Sequence, residues 1–385
     1  MEWSIRNLLN PVVTRLLIFG VNPIDVEYVL NAVENTKHMN TASMARAWFT
    51  QWDNKAQKYI RKARHAESEQ RHQTARELFL LATRCYYAIT LINFPDARDK
   101  QNAYLEFAAL YRKQLSLSSH QSERLMVRLH DGSHIPAYLH LPSERAAQPH
   151  PCVVIYSGLG SCKEEMRTLA LPLIERGIAV FVADMPGNGE TIYFANVTCS
   201  YARLNSAFRE VLNTLCARPD IDHRRIGVYG LCMGGGYAYH AATLDARYKA
   251  CVTFFLLFIT QVDEAVTPQW MRQGEAFKTQ IGDMSPAVFL SEMKALERGT
   301  IACPFLFIHG VHDNWMTLEA ASAFYNRASG PKEKVIIEDT PVFSNQGSIT
   351  HAMPVGEQLH WLRHVAADWM VKQLANPPGN ETCGK

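Results

Sequence analysis

An excess of charge of either sign is missing from this sequence. Its 385 residues include 39 Lys and Arg residues against 37 Asp and Glu residues, which gives a formal net charge of +2 at pH 7. Domains that bind nucleic acid usually concentrate Lys and Arg on one face, and we find no block of the sequence rich in these residues. We therefore expect no nucleic-acid partner.

Long hydrophobic runs are also missing. The longest apolar stretch near the start, residues 12–21, is interrupted by Thr14 and Arg15, whereas a membrane-spanning helix needs about 20 consecutive apolar residues. Residues 1–6 lack the basic segment and apolar core of a secretory signal peptide. We therefore expect no membrane partner and a cytoplasmic location.

Paired cysteines are absent, although the sequence contains nine cysteines. Zinc sites and redox motifs commonly use CxxC pairs, so this pattern favours reduced thiols, most of them buried as small apolar side chains. The sequence HGVHD at residues 309–313 contains two histidines, but no third ligand follows at a spacing typical of metal sites. We therefore expect no metal and no other cofactor.

Hydrophobic periodicity divides the chain into two regions. Residues 1–120 show almost no strand pattern, and apolar residues recur there at spacings of three and four, which is typical of helices. Residues 121–375 contain eight short β-type runs, the first two in hairpin order and the later ones alternating with helical stretches. This pattern predicts a mostly parallel eight-stranded sheet with helices on both faces. Residues 376–385 are rich in Pro and Gly, and we expect them to form a loose tail.

One segment of the second region is longer than its place in the sheet requires. The chain between Phe258 and Cys303 exceeds what a single strand–helix–strand crossover needs. We interpret residues 259–303 as an insertion that covers the carboxyl ends of the strands, where ligands bind in such folds.

The clearest chemical signal is the sequence GLCMG at residues 230–234. A strand pattern precedes it and a helical pattern follows it, as in the nucleophile elbow G-x-S-x-G, here with Cys in place of Ser. The sharp turn exposes the side chain, and the N-terminus of the following helix favours a thiolate. We therefore predict that Cys232 is a nucleophile and that the backbone N–H of Met233 stabilises an oxyanion.

The partners of this cysteine follow from chain order. An α/β-hydrolase carries its nucleophile, acid and histidine in that sequence. Asp313 follows one predicted strand and His351 follows the next, so each of the three residues lies near the carboxyl end of a different strand. We assign Asp313 as the acid and His351 as the base. Asp339, just after the last strand, is the alternative acid.

Further site residues are predicted in the loops around this triad. The loop after the third strand consists of small residues, and Leu159 or Gly160 is expected to supply a second backbone N–H to the oxyanion; a turn without a catalytic part is the alternative. Candidates for the substrate pocket, with core packing or helix capping as their alternative roles, are Tyr156, Glu165, Trp315 and Phe258.

The sequence resembles a known branch of the α/β-hydrolase superfamily. The stretches that carry the resemblance are residues 75–87, 157–165, 184–191, 230–234 and 309–313. The branch includes dienelactone hydrolases, fermentation–respiration switch proteins, 2,6-dihydroxypseudooxynicotine hydrolase and fungal heptaketide pigment hydrolases. The resemblance implies that residues 1–120 and the insertion cap the site and that the protein is a homodimer. Longer members carry Ser at the elbow, whereas Cys resembles the shorter dienelactone hydrolases.

Together these features predict an acyl hydrolase with a Cys-His-Asp triad. The thiolate would attack an ester, a thioester or an activated C–C bond of a small polyketide-like or aromatic metabolite of secondary metabolism and form an acyl-enzyme. An acyltransferase that releases a carrier-bound acyl group to an acceptor other than water would use the same residues. A binding protein without catalysis is the remaining alternative.

Overall fold

The computed structural model describes residues 5–35, 41–92, 96–142, 149–158, 160–262, 275–338, 351–352 and 356–375. The chain forms two compact units, Met1–Gln121 and Ser122–Lys385. The predicted tail at residues 376–385 and the middle of the predicted insertion, residues 263–274, lie outside the described residues. No helix in the described ranges is both long enough and apolar enough to cross a lipid bilayer.

The first unit is helical throughout its described residues. Its helices are α1 (Ile5–Ile18), α2 (Pro23–Glu34), α3 (Thr41–Ser68), α4 (His72–Thr90) and α5 (Ala97–Ser116). The side chain of Asn22 caps α2, and Pro23 fills its first turn, where no N–H is needed. Trp48 of α3 is buried and donates a hydrogen bond from Nε1 to the carbonyl oxygen of Ala88 at 2.9 Å. This bond satisfies the polar atom of the indole inside the core.

The second unit is built on one eight-stranded sheet. Its strands are β1 (Ser122–Arg128), β2 (His134–His140), β3 (His150–Tyr156), β4 (Ala179–Ala183), β5 (Ile221–Leu231), β6 (Tyr248–Phe254), β7 (Phe305–Gly310) and β8 (Lys332–Ile337). Their order is β1-β2-β4-β3-β5-β6-β7-β8. The pairs β1–β2 and β2–β4 are antiparallel and all others are parallel. The predicted fold class is confirmed.

The helices of this unit lie in the connections between the strands and after the last strand. They are α6 (Arg167–Ile174), α7 (Glu190–Tyr193), α8 (Tyr201–Cys216), α9 (Met233–Leu244), α10 (Glu275–Ile281), α11 (Pro286–Met293), α12 (Leu318–Arg327) and α13 (Gly356–Ala375). Helix α9 packs on β3, β5 and β6, and α13 packs on β5 and β6. Every residue of β4 is buried, as expected for a strand covered on both faces.

The strand order places a crevice beside β3. This strand has β4 on one side and β5 on the other, so the chain first moves to one side of β3 and then returns to the opposite side. Open α/β sheets bind ligands at the carboxyl ends of their strands, next to such a reversal. The loops that follow β3 and β5 meet at this point, and they contain the predicted oxyanion loop and Cys232.

Candidate active site

Cys232 lies at a sharp turn between a strand and a helix. Strand β5 ends at Leu231 and α9 begins at Met233, so Cys232 is the only residue between them. Its dihedral angles are φ 59° and ψ −129°. Such a conformation costs about 1–3 kcal/mol in a residue with a side chain. Three hydrogen bonds hold it. The N–H of Cys232 donates to Phe254 O at 3.0 Å, and its carbonyl accepts the N–H groups of Gly235 at 2.8 Å and Leu257 at 3.2 Å.

The glycines on either side of Cys232 are required by close packing of the backbone. A Cβ at Gly230 would lie 1.8 Å from the carbonyl oxygen of Gly234. A Cβ at Gly234 would lie 2.1 Å from the carbonyl oxygen of Tyr156 on β3. Neither position can carry a side chain unless the backbone moves. The G-x-C-x-G pattern is therefore the sequence that this turn demands.

The loop after β3 lies directly against the thiol. A Cβ at Gly158 would be 3.3 Å from Cys232 Sγ and 3.0 Å from its Cβ, so glycine is what allows this close approach. Gly160 has a φ of 65° and open space where a side chain would project. Leu159, the other predicted oxyanion residue, lies outside the described residues. Met233, as the first residue of α9, has an N–H without an acceptor inside the helix.

Asp313 and His351 form a short, buried hydrogen bond. His351 Nδ1 lies 2.6 Å from Asp313 Oδ2, and both side chains are almost fully buried. The other carboxylate oxygen, Oδ1, accepts the backbone N–H groups of Trp315 at 2.9 Å and Met316 at 3.1 Å. Burial alone would raise the pKa of Asp313, but His351 and these hydrogen bonds outweigh it and lower that pKa. The carboxylate is therefore ionised and faces the imidazole.

His351 connects this carboxylate with the thiol. Burial opposes the charged imidazole, but its attraction to Asp313 and to Cys232 is stronger, and together they raise the pKa of His351 to about 10. The second ring nitrogen, Nε2, is buried and makes no hydrogen bond of acceptable distance and angle with the described residues. The charge of Cys232 thus adds to that of Asp313 in raising the pKa of His351, and the imidazole is protonated at neutral pH. Asp339, the alternative acid, lies outside the described residues.

Aromatic rings fix the plane of the His351 imidazole. The Trp315 ring stacks on it with centroids 5.0 Å apart and an interplanar angle of 8°. The Phe255 ring meets it edge-on, with centroids 5.8 Å apart at 82°. Phe255 itself has a φ of 52°, and its N–H donates to Ile308 O at 2.8 Å. The predicted pocket residue Trp315 thus contacts the imidazole of the site.

A small apolar pocket adjoins the elbow. The side chains that line it are Met233, Tyr237, Leu257, Phe258, Ile259, Met293 and Leu296. Phe258 was predicted as a pocket residue and lies in this wall. The segment 259–303 contributes Ile259 together with Met293 of α11 and Leu296 of the 3₁₀ helix Lys294–Glu297. The hydroxyl of Tyr237 is 3.9 Å from Cys199 Sγ.

Tyr156 does not belong to the site, and that prediction is wrong. The side chain is fully buried in the core, and its hydroxyl is 3.0 Å from the hydroxyl of Tyr248. Tyr248 is the first residue of β6, so the tyrosine points toward the amino end of the sheet. The other predicted polar residue of this region, Glu165, is partly exposed in the 3₁₀ helix Lys163–Met166.

A buried group of charges behind the β3 loop was missed at the sequence level. Lys163 Nζ lies 2.8 Å from Asp184 Oδ2, 3.0 Å from Glu190 Oε1 and 2.8 Å from Glu164 Oε1. Arg124 pairs with Glu190 at 2.6 Å. Burial, together with the nearby Glu164, raises the pKa of Asp184 to about 6 in spite of Lys163. Apart from Arg124, these residues occur in the stretches that carry the family resemblance, and that was the signal in the sequence that could have found them.

Asn188 connects the loop after β4 with Gly158 in the loop after β3, which lies against the thiol. Its Nδ2 donates to the carbonyl oxygen of Gly158 at 3.2 Å, and its own N–H donates to Met185 O at 2.9 Å. Gln280 of α10 approaches the Asn188 side chain, with its Nε2 3.5 Å from Asn188 Oδ1. The segment 259–303 therefore contacts the loop that supports the elbow.

The two histidines of residues 309–313 have different environments. His309 is buried and His312 is exposed. Within the described residues, no group of three His, Cys, Asp or Glu side chains is arranged to hold a metal ion. His309 Nε2 instead lies 2.8 Å from the carbonyl oxygen of Met316.

Comparison with protein families gives two matches of more than half the chain. The profile of the FrsA-like esterases matches residues 13–263. The profile of the prolyl oligopeptidase family matches residues 165–376, which lie within the second unit.

Individual proteins that are similar to this chain include hydrolases and esterases. A 2,6-dihydropseudooxynicotine hydrolase of Paenarthrobacter nicotinovorans is 29% identical over 303 residues, covering 78% of this chain and 77% of the relative. Esterase FrsA of Vibrio vulnificus is 28% identical over 247 residues, covering 60% of this chain and 56% of the esterase. A crystal structure of 2,6-dihydroxy-pseudo-oxynicotine hydrolase superposes with a TM-score of 0.74 at 23% identity, covering 97% of this chain and 99% of that one.

Proposed function

Because the chain belongs to the FrsA-like esterase family of the α/β-hydrolase superfamily, we propose that it hydrolyses acyl compounds through a covalent intermediate on Cys232. One observation carries this proposal. The buried Asp313–His351 pair, joined at 2.6 Å, acts electrostatically on a thiol that the backbone presents at a strained turn. An ionised carboxylate, an oriented imidazole and a nucleophile are the parts that acyl transfer requires.

The proposed reaction begins with the proton of the Cys232–His351 pair on the imidazole, because the raised pKa of His351 keeps this ring protonated at neutral pH. The Cys232 thiolate attacks the substrate carbonyl carbon. The resulting oxyanion accepts a hydrogen bond from the backbone N–H of Met233. His351 then gives its proton to the leaving group, and the bond between the carbonyl carbon and that group breaks, which leaves an acyl thioester on Cys232.

Water completes the reaction in a second half that mirrors the first. His351 accepts a proton from water as the water oxygen attacks the thioester carbon. When the C–S bond breaks, the Cys232 thiolate forms again beside the protonated His351, and the acid product leaves. Asp313 keeps Nδ1 protonated throughout, so Nε2 is the nitrogen that exchanges protons.

We infer from the lining of the pocket that the substrate has an apolar acyl part. The pocket beside Met233 is lined by aliphatic and aromatic side chains, with Tyr237 as the residue that carries a hydroxyl. Such a surface favours an alkyl or aromatic group over a charged one. We therefore propose an ester, a thioester or an activated C–C bond of a small polyketide-like or aromatic metabolite.

Acyl transfer to an acceptor other than water is the second candidate function. The observation in its favour is the apolar pocket at the elbow, because a surface with few polar atoms offers water few hydrogen-bond partners. The same acyl thioester would then react with an amine, an alcohol or a thiol. Product analysis with and without such acceptors separates the two functions.

Trapping the acyl-enzyme tests the proposal. The protein is mixed for seconds with aryl esters and thioesters of short alkyl and benzoyl acids, and its intact mass is measured. We expect a mass increase equal to the acyl group, located on the peptide that contains Cys232. Cys232→Ala should lose the adduct and slow turnover by at least about 10³-fold, whereas Cys232→Ser keeps the geometry and should retain a fraction of the activity.

The control is Cys303→Ala, at a partly buried cysteine distant in sequence from the elbow, which should acylate normally. Turnover without dependence on Cys232, or acylation of other cysteines with Cys232 unmodified, would refute the proposal.

A further inference from the structure

His309 lies four residues before Asp313, near the end of β7, and is fully buried. Its Nε2 atom is 2.8 Å from the carbonyl oxygen of Met316 and 3.4 Å from Asp313 Oδ2. The ring stacks on Phe307, with centroids 5.4 Å apart at 12°. The His309 ring therefore packs on a side chain of β7 and contacts the loop that carries Asp313.

The contacts of His309 define its protonation state. A carbonyl oxygen only accepts hydrogen bonds, so Nε2 must carry the proton that it donates to Met316 O. Burial lowers the pKa of His309, and this effect outweighs the attraction of Asp313. The Nδ1 atom is buried without a hydrogen-bond partner among the described residues. A neutral ring protonated on Nε2 satisfies all of these observations.

The His309 ring also lies close to the carboxylate of Asp313, although its N–H donates to Met316 O. Oδ2 of Asp313 faces His351 at 2.6 Å on one side and His309 at 3.4 Å on the other. Met316 connects His309 with the carboxylate through its backbone. Its N–H donates to Asp313 Oδ1 at 3.1 Å, and its carbonyl oxygen accepts a hydrogen bond from His309 Nε2. The loop from Asp313 to Met316 is therefore held from both the carboxylate side and the β7 side.

Phe255 connects the two imidazoles. Its ring lies 5.7 Å from the His309 ring and 5.8 Å from the His351 ring. The strained backbone of Phe255 places this ring between them. Movement of the His309 ring would consequently disturb both the carboxylate and the edge contact that orients His351.

We propose that His309 is a positioning residue of the site: as a neutral donor to Met316 O it holds the loop from Asp313 to Met316, and it thereby fixes the Asp313 carboxylate so that Oδ2 meets His351 Nδ1. The inference rests on the proposed function of Cys232, His351 and Asp313. His309 does not exchange protons with the substrate. It acts through Asp313, and its effect should appear in the strength of the Asp313–His351 hydrogen bond and in the reactivity of the thiol.

Two substitutions separate donation from packing. His309→Phe keeps an aromatic ring against Phe307 and removes the donor, while His309→Gln removes the ring and keeps an N–H near the position of Nε2. His312→Gln, at an exposed histidine of the same loop, is the matched control. The readouts are the rate of Cys232 alkylation between pH 6 and 9 and the proton resonance of His351 Nδ1–H, which is strongly deshielded in a short bond to a carboxylate.

We expect His309→Phe to lower the alkylation rate at pH 7 by roughly 10- to 100-fold, since small displacements of a reacting group cost this much. The Nδ1–H resonance should move upfield or disappear. His309→Gln should recover most of the rate and of the resonance, and His312→Gln should match the wild type.

The inference is overturned if His309→Phe leaves both readouts unchanged, or if His309→Gln is as damaging as His309→Phe, which would make the role one of ring packing. A measurement on the unmodified protein is decisive even if His309→Phe does not fold. The ¹⁵N shifts of His309 must show a neutral ring protonated on Nε2, and protonation on Nδ1 contradicts the inference. The resonances report on His309 and His351 even if Cys232 proves unreactive, so failure of the proposed function is recognised separately.

Discussion

The properties of Cys232 come from its backbone as much as from its sulfur. A φ of 59° places the side chain away from both the strand and the helix, with the thiol partly exposed. Asp313 is fixed by two backbone N–H groups and by His351. The charge that develops on sulfur is thus balanced by an imidazole whose own orientation is set before any substrate arrives.

The ionisation of His351 predicts a pH dependence of stability. The pKa of this residue in the folded protein, raised to about 10 by Asp313 and Cys232 against the effect of burial, lies above its ordinary value of 6.5. A raised pKa means that the folded state binds the proton more tightly, so the stabilisation is complete below about pH 6.5 and is lost as the pH rises through about 10.

Urea unfolding of the wild type and of His351→Gln at pH 7 and pH 10.5 measures this effect. The difference in unfolding free energy between the two proteins should shrink at the higher pH by an amount on the order of a few kcal/mol. A difference that stays constant across this range would show that the folded protein does not hold the His351 proton tightly.

Among the elements, the turn from β5 into α9 leaves the least freedom to the sequence. The peptide backbone of Gly230 contacts that of Gly234, and Gly234 contacts β3. The three segments that meet at Cys232 are therefore in backbone contact, which explains why side chains are excluded there. The apolar strands behind them supply the rigid support that a strained turn needs.

Substitution of Gly230 by Ala should be severely destabilising. The new Cβ would lie 1.8 Å from the Gly234 carbonyl oxygen, so β5 and α9 would have to separate, at a cost of more than about 4 kcal/mol. Gly132→Ala is the control, since that glycine has a positive φ of 83° but no neighbouring atom within 4 Å of the added group. It should cost only about 1–2 kcal/mol. Equal melting temperatures for the two variants would contradict this explanation.

A second element-scale feature is the charge cluster that joins several loops. Lys163 lies in the 3₁₀ helix after β3, and its Nζ donates a hydrogen bond to the Asp184 carboxylate. The same carboxylate accepts the backbone N–H of Lys163 at 2.7 Å and that of Glu190 at 3.0 Å. The loop after β4, between Asp184 and Glu190, is the one that contains Asn188 and supports Gly158. The cluster therefore stabilises the loops that support the elbow.

Replacement of Lys163 by Met should leave buried carboxylates without their cation. The expected cost is about 3–5 kcal/mol at pH 7.5. It should be smaller at pH 5, because Asp184, whose pKa is already raised to about 6 by burial, can be protonated. Denaturation at the two pH values measures the change, and Arg98→Met, which removes an exposed ion pair with Asp96, should leave stability unaltered. A loss that does not depend on pH would contradict the charge-based account.

For the whole molecule, the sequence predicted what depends on pattern and chain order. Val- and Ile-rich runs alternating with helices predicted the sheet, because such runs are buried on both faces. The order Cys232, Asp313, His351 singled out residues that the structure brings to one edge. Tyr156 was misplaced because a strand position does not reveal which end of the sheet a long side chain reaches.

Contacts between distant segments were beyond prediction for a physical reason. The partners of Lys163 come from the regions near residues 184 and 190, and the position of Phe255 between two imidazoles depends on its left-handed backbone. Neither follows from periodicity, since both arise from tertiary packing that imposes a local conformation.

Most of the other cysteines of the fold are more deeply buried than Cys232. Burial raises the pKa of Cys85, Cys152, Cys162, Cys199, Cys251 and Cys303. For Cys199 and Cys303 the value reached is about 12. A thiol with a raised pKa is protonated at neutral pH and reacts slowly with alkylating agents. The described cysteines therefore provide internal standards for the reactivity of Cys232.

The most direct measurement is the alkylation rate of every cysteine by iodoacetamide, followed by peptide mass spectrometry at pH 7. Cys232 should be modified at least about tenfold faster than the buried cysteines, as expected for a thiolate stabilised by a neighbouring imidazolium, and His351→Gln should remove most of this difference. If Cys232 is modified no faster than the others, or equally fast with and without His351, the nucleophile assignment is wrong.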